Sequence, residues 1–305
     1  MRDGEGNEIT EMHGPVQFAI QTPSSDERIK QHIEHALSLG LPEADTAQKA
    51  LHLIANGPSA KTYDFEALAN WHHSGEMALI DTAAVNGALK LFTDRGIAPT
   101  YWICCDPQET GDNQITPIDF LKGPLPKETI YLVASKCAPE VFERLKDRKV
   151  RLWHVNDQVI PGKRLVPCAT SVTLSGLMLF RRLEYRRIDT WGWDCCFGED
   201  MSHHAATGEL GVSPDAVEIE IGQGPGIISV WTTPTWAAEH EDAKGILPVM
   251  RWWGADVVIH GRSMISAIIP EFGEGYPFAI TLSKRWREPN MAIPPVISLP
   301  LPKVA

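Results

Sequence analysis

The hydrophobic runs of this chain stop, one after another, on small polar or acidic residues, and that punctuation leaves few folds open. Residues 51–55 run into Asn56, 77–80 into Asp81, 101–105 into Asp106, 130–134 into Ser135, 151–155 into Asn156 and 188–193 into Asp194. Helical-looking stretches separate these runs. Repeated strand–helix units predict an α/β protein with a mostly parallel sheet and helices on both faces. In such sheets ligands bind outside the carboxyl ends of the strands, so polar residues gathered there predict a site before any motif is named.

Composition narrows the partners. The formal charge of −11 and a pI near 5.5 argue against general affinity for nucleic acid or anionic membranes, while 28 lysines and arginines leave room for a local basic patch. No apolar run is long enough to span a bilayer. The first residues, Met1-Arg2-Asp3-Gly4-Glu5-Gly6-Asn7-Glu8, lack the apolar core of a secretory leader, and a cytoplasmic location is expected. The six cysteines contain no Cys-x-x-Cys spacing. Cys104 and Cys105 are strand neighbours that point to opposite faces and cannot share one metal, so buried thiols in a reducing compartment are expected.

Three segments are expected along the chain. Residues 1–48 read as an N-terminal extension containing a helix at 26–39, capped by Asp26, with Ile29, Ile33, Ala36 and Leu37 on one side. Residues 49–265 form the main domain, with helices at 65–71, 83–92, 139–146 and 170–183. Ser175 and Gly176 would let the last of these approach the sheet closely. Residues 195–215 read as a long loop or lid. Two strands, 217–221 and 227–231, flank Gly222-Gln223-Gly224-Pro225-Gly226; that run imitates a dinucleotide fingerprint but has the chemistry of a hairpin turn. A helix at 235–253 and a strand at 255–260 follow, and 266–305 is a C-terminal surface segment with a Pro-rich tail.

Several residue sets carry chemistry. Asn56-Gly57-Pro58-Ser59 follows the first core strand, where free loop amides and the Ser59 hydroxyl could cradle a phosphate; the bland alternative is a plain strand-to-helix turn. Thr170 and Ser171 open a helix, either as caps or facing a ligand at its positive end. Asp106 and Asp194 each follow a strand and could hold magnesium, accept from a ribose hydroxyl or act as a base, whereas a lone acid more often caps a turn. His203 and His204, in the presumed lid, offer a general acid or base or are a surface pair without a role. His72-His73, at a helix end, reads as structural, and His260 as a hydrogen-bonding residue at a strand end.

In order, these fragments resemble the 6-hydroxymethylpterin diphosphokinase MptE-like family, which is related to the motility accessory factor glycosyltransferases and to bacterial sialyltransferases of Rossmann-like fold. The resemblance rests on Leu53-Ile54-Ala55-Asn56-Gly57-Pro58-Ser59, on Asn86 within Ala84-Val85-Asn86-Gly87-Ala88-Leu89, and on the run from Gly96 to Asp106. It continues through Ala169-Thr170-Ser171-Val172 and through Trp191-Gly192-Trp193-Asp194 with His203-His204-Ala205 downstream. Thr232-Thr233-Pro234-Thr235 occupies the place of the sialyltransferase histidine, a departure from the pattern.

The resemblance implies a Rossmann-like, nucleotide-dependent transferase over roughly residues 50–265. Asn56, Gly57, Pro58, Ser59, Asn86, Thr170 and Ser171 would hold the nucleotide, ATP or a nucleotide-sugar. Asp106 and Asp194 would bind Mg2+ or orient the acceptor, with His203 and His204 as further catalytic candidates. Diphosphoryl transfer from ATP to a hydroxymethyl, pterin-like acceptor is the expected reaction. Glycosyl transfer from a CMP-sugar type of donor is the rival, and a non-catalytic binding or structural protein on the same fold the third reading. Small-molecule substrates, no membrane span and room for a homo-oligomer complete the expectation.

Overall fold

The computed structural model describes residues 49–74, 79–108, 116–155, 165–166, 170–206, 216–221, 228–267 and 280–281. Its centre is a parallel sheet of seven strands of four to seven residues, β1 (Ala50–Ile54), β2 (Ile80–Val85), β3 (Tyr101–Cys104), β4 (Ile130–Ala134), β5 (Lys149–Val155), β7 (Arg187–Trp191) and β10 (Asp256–Ile259). A two-residue strand, β6 (Leu165–Val166), extends it, giving the order β10-β7-β1-β2-β3-β4-β5-β6 with every pairing parallel. A second, antiparallel sheet holds β8 (Val217–Ile221), β9 (Ile228–Thr232) and β11 (Ile280–Thr281). The α/β, Rossmann-like expectation with a C-terminal hairpin is what the chain forms.

Burial explains the strands. Trp102, Ile103 and Cys104 of β3 and Tyr131, Leu132 and Val133 of β4 are wholly enclosed, as strands covered on both faces must be. The helices are α1 (Phe65–Ser74), α2 (Leu89–Thr93), α3 (Pro139–Arg144), α4 (Val172–Arg182) and α5 (Pro234–Trp252). Helix α4 is buried from Val172 through Phe180, and a Cβ built on Gly176 would lie 3.2 Å from Ile103 Cδ1, the close approach expected of a small residue there. Ser171 caps it by accepting from Leu174 N at 3.2 Å, and Thr233 caps α5 by accepting from Trp236 N at 3.3 Å. Among the described residues no helix is long and apolar enough to cross a membrane.

One strand was misplaced by the sequence reading. The expected strand at 77–80 ending on Asp81, followed by a helix at 83–92, gives way to β2 over Ile80–Val85 and a helix starting only at Leu89. Ala83 and Ala84 favour helix intrinsically, but they lie between β1 and β3, where small side chains admit close helix packing and tertiary context overrides propensity. Asp81 therefore stands at the amino end of its strand, far from the carboxyl rim. There Tyr185 Oη donates to Asp81 Oδ2 at 2.5 Å, Lys49 Nζ reaches Oδ1 at 3.2 Å, and Tyr101 Oη lies 3.2 Å from Tyr185 Oη. The helix expected at 26–39, Asn156, the 222–226 turn and the Pro-rich tail lie outside the described residues.

This enclosed network tests the new placement. Tyr185→Phe strips Asp81 of its buried donor and is expected to cost about 1–3 kcal/mol. A lowered urea midpoint with an unchanged slope is the expected readout.

Candidate active site

The chain order reverses at β1. Strands β2 through β6 march away on one side, and β7 returns to pair with β1 on the other. The chain leaving β1 heads toward β2 while β7 arrives on the other side, which makes these two carboxyl ends the position where ligands bind in open α/β sheets.

At that point the first-strand turn is clasped to the turn after β7. Ala55 N donates to Trp191 O at 2.8 Å, and Gly57 N to Gly192 O at 2.8 Å. Gly192 N donates back to Ser59 Oγ at 2.8 Å, and Ser59 N donates to Asp194 Oδ2 at 2.7 Å. Contact is close enough to require glycine on both sides: a Cβ on Gly192, which has φ +70°, would lie 2.3 Å from Ala55 O, and one on Gly57 would lie 2.6 Å from Gly192 O.

The clasp engages the turn in which Gly57, Pro58 and Ser59 were expected to meet a phosphate. Both of that turn's expected free amides are already bonded, and Pro58 has none. The anion on the Ser59 amide is the protein's own Asp194 carboxylate. A phosphate could not take that amide without displacing it.

Asp194 is the most unusual group here. It is 4% exposed, Oδ2 is held by Ser59, and Oδ1 is buried with no hydrogen-bond partner. Burial pushes its carboxyl up to about 6, against the opposing bonds from the Ser59 hydroxyl and amide. A carboxylate with an unused lone-pair face and a pKa near neutrality has the properties of a general base.

The other expected residues spread along the same rim. Asn56 spends its carbonyl on Ala205 N at 2.7 Å and Oδ1 on Ala206 N at 3.0 Å, which ties the His203-His204 loop to the end of β1. Asn56 Nδ2 lies 2.9 Å from where a Gly87 Cβ would be, so Asn86 is adjacent. Asn86 has φ 47°, a left-handed conformation that asparagine tolerates, and its Oδ1 is buried without a partner. His203 packs among Phe197, Trp236 and His204, with ring centroids at 6.0, 6.1 and 3.9 Å, and its Nδ1 is also buried without a partner. Thr170 is exposed and its amide donates to Asp242 Oδ2 at 3.3 Å. Ser171 serves as the α4 cap and also bonds the buried Glu239.

Asp106 stands apart from Asp194. It follows β3 and accepts from Gln108 N at 3.0 Å; burial raises its carboxyl, with the Gln108 bond and the nearby Lys136 charge pulling the other way. Strands β7 and β3 are three spacings apart, about 14 Å at the strand ends. The two acids thus belong to different loops of the rim, and among the described residues no three His, Cys, Asp or Glu side chains gather to hold a metal.

Glu239 was not foreseen. It lies enclosed on α5 and accepts from Trp193 Nε1 at 2.6 Å, so it anchors the residue before Asp194 to the α4 cap. Its sequence neighbourhood is an ordinary acidic helix, and only folding brings it beneath the site. Burial pushes the Cys137 and Cys195 thiols upward and Cys196 to about 12, which removes them as nucleophiles at neutral pH.

No protein-family model and no curated protein matches this chain. Among solved structures it is similar to the MAf glycosyltransferase from Magnetospirillum magneticum AMB-1, with a TM-score of 0.51 and 13% sequence identity over 77% of this chain. The match covers 36% of that enzyme, so the chain spans about a third of its length. At this identity the likeness shows a shared fold, that of a motility accessory factor glycosyltransferase.

Two measurements check the clasp. Gly192→Ala, strained at positive φ and pressed against the Ala55 carbonyl, is expected to cost about 2–5 kcal/mol in unfolding free energy. Asp194 has a folded pKa near 6 above an unfolded value of 3.8, so its contribution is fully present below pH 4 and lost as pH rises through about 6. In urea titrations from pH 4 to 7, Asp194→Asn should therefore gain on the wild type by up to about 3 kcal/mol as pH rises.

Proposed function

We propose that this protein is a nucleotide-dependent transferase that moves a sugar from a nucleotide-activated donor to a hydroxyl acceptor, with Asp194 as the base. The observation that carries this reading is the unpartnered, buried Oδ1 of Asp194 at the point where strand order reverses. In the reaction the acceptor hydroxyl gives its proton to Asp194 as its oxygen bonds the anomeric carbon. The bond from that carbon to the donor phosphate breaks, and the nucleotide leaves with the electron pair. Desolvation raises the basicity of Asp194, and the Ser59 bonds fix its direction.

The donor's phosphates belong away from Asp194, over β1 and β2, since a carboxylate already fills the Ser59 amide. Asn86, with its buried, unpartnered amide oxygen, offers an acceptor to an amine or hydroxyl of the nucleoside. His203 is placed by the Asn56-bound loop as a group that could meet the leaving phosphate. The shared fold with a glycosyltransferase supports the same direction. Diphosphoryl transfer from ATP ranks below it, because that chemistry relies on a metal bridging the phosphates and Asp106 and Asp194 stand too far apart to share one.

Product formation from CMP-, UDP- and GDP-sugars, set against ATP plus a hydroxymethylpterin, tests the choice. Transfer from a nucleotide-sugar is expected, rising with pH through about 6, and Asp194→Asn should lower kcat by roughly 10²–10⁴-fold in a folded protein. Product from the ATP reaction alone would overturn it. Unchanged biological activity in folded Asp106→Ala and Asp194→Ala variants would mark a non-catalytic scaffold.

A further inference from the structure

The rim opposite the site, at the amino ends of the strands, has a chemistry of its own. Arg181 and Arg182 close α4, Arg186 and Arg187 enter β7, and Arg251 closes α5, all on this rim. They are neighbours in space: Arg181 Nε donates to Trp253 O at 2.8 Å, Asp256 N donates to Arg186 O at 2.7 Å, and Asp256 pairs with Arg187 across β10 and β7. Glu184 engages Arg181 and Asp189 engages Arg187. Arg182, Arg186 and Arg251 are exposed and make no ion pair with any described residue. Further along the same rim, Lys127 precedes β4, Lys146 and Arg148 precede β5, and Lys149 opens β5, with Glu128 and Asp147 among them.

The exposed large hydrophobic side chains lie there as well. Among the described residues these are Trp252 at 71%, Leu79 at 64% and Val249 at 40% exposure. Trp252 follows Arg251 directly, and Val249 lies one helical turn before it. Leu79 precedes β2, whose Ile80 pairs with Ala50, which pairs in turn with Arg187, two strand spacings or about 10 Å away. The turns of the carboxyl rim carry Asp106, Asp194 and Asp200 beside Lys61, Lys136 and Arg262.

We propose that the amino rim is a peripheral membrane-binding surface that recognises anionic phospholipid headgroups. Arginines that pair with no described residue supply attraction to the headgroup phosphates. An exposed tryptophan flanked by aliphatic side chains fits the headgroup–acyl boundary, where such groups leave water. Nucleic acid would use the same cations but offers nothing to Leu79 and Val249. The net charge of −11 does not oppose this, because charges beyond about 8–10 Å are screened at physiological salt and the surface meets the local patch. The inference is independent of the transferase reading. It sets the carboxyl rim facing away from the bilayer, open to water-soluble substrates.

The full-length protein sedimented with vesicles of phosphatidylcholine, alone or mixed with phosphatidylglycerol, tests this. Binding to the mixed vesicles is expected, and it should weaken as salt rises. Arg182→Gln, Arg186→Gln and Arg251→Gln together should weaken it by about a hundredfold, roughly fivefold for each cation. Trp252→Ser should weaken it too, with an unchanged unfolding temperature because the side chain is exposed. Brominated lipid should quench wild-type fluorescence more than that of Trp252→Phe. Equal, negligible binding to both vesicles at low salt would overturn the proposal, as would triple-variant binding as tight as wild type. Binding to duplex DNA without binding to either vesicle would also overturn it, assigning the patch to nucleic acid.

Discussion

Everything at the carboxyl rim depends on the clasp between the turns that follow β1 and β7. These strands are adjacent in space but separated in sequence by the whole march from β2 to β6. Two backbone bonds and the Ser59–Gly192 and Ser59–Asp194 bonds close the gap, and they demand glycine where a side chain would strike backbone. The clasp also seals Asp194 from water. A carboxylate placed there is held in direction by Ser59 and denied the hydration that would keep it acidic.

That one placement organises the chemistry around it. An internal anion occupies the Ser59 amide, so the turn after β1 fixes the direction of the Asp194 carboxylate. Asn56 extends the effect by holding the loop that carries His203. Glu239 braces the same structure from below through Trp193 and Ser171. Carboxylate, loop and brace come from distant parts of the sequence, so a fault in the turn geometry would move all three.

Seen along the strand axis, the molecule is polarised. Asn86 and Asp194, each with a buried polar atom that has no partner, lie at the carboxyl rim, while a group of arginines and the exposed large hydrophobic side chains of the described residues lie at the amino rim.

Much of this was legible in the amino-acid sequence, because it is local. Apolar runs of strand length, the capping residue Ser171, and the polar residues that end β1, β3 and β7 follow from short-range chemistry. They give the parallel α/β class and the rim on which Asn56, Asp106 and Asp194 stand. The sequence misled where local preference and context disagree: Ala83 and Ala84 read as helix, yet their place between β1 and β3 makes them strand and sends Asp81 to the other rim. Which polar residues meet was beyond its reach. Strand order alone decides that Asp194 lies against Ser59 while Asp106 lies three strands away, and burial alone, a property of the packed chain, decides that Asp194 holds its proton to about pH 6.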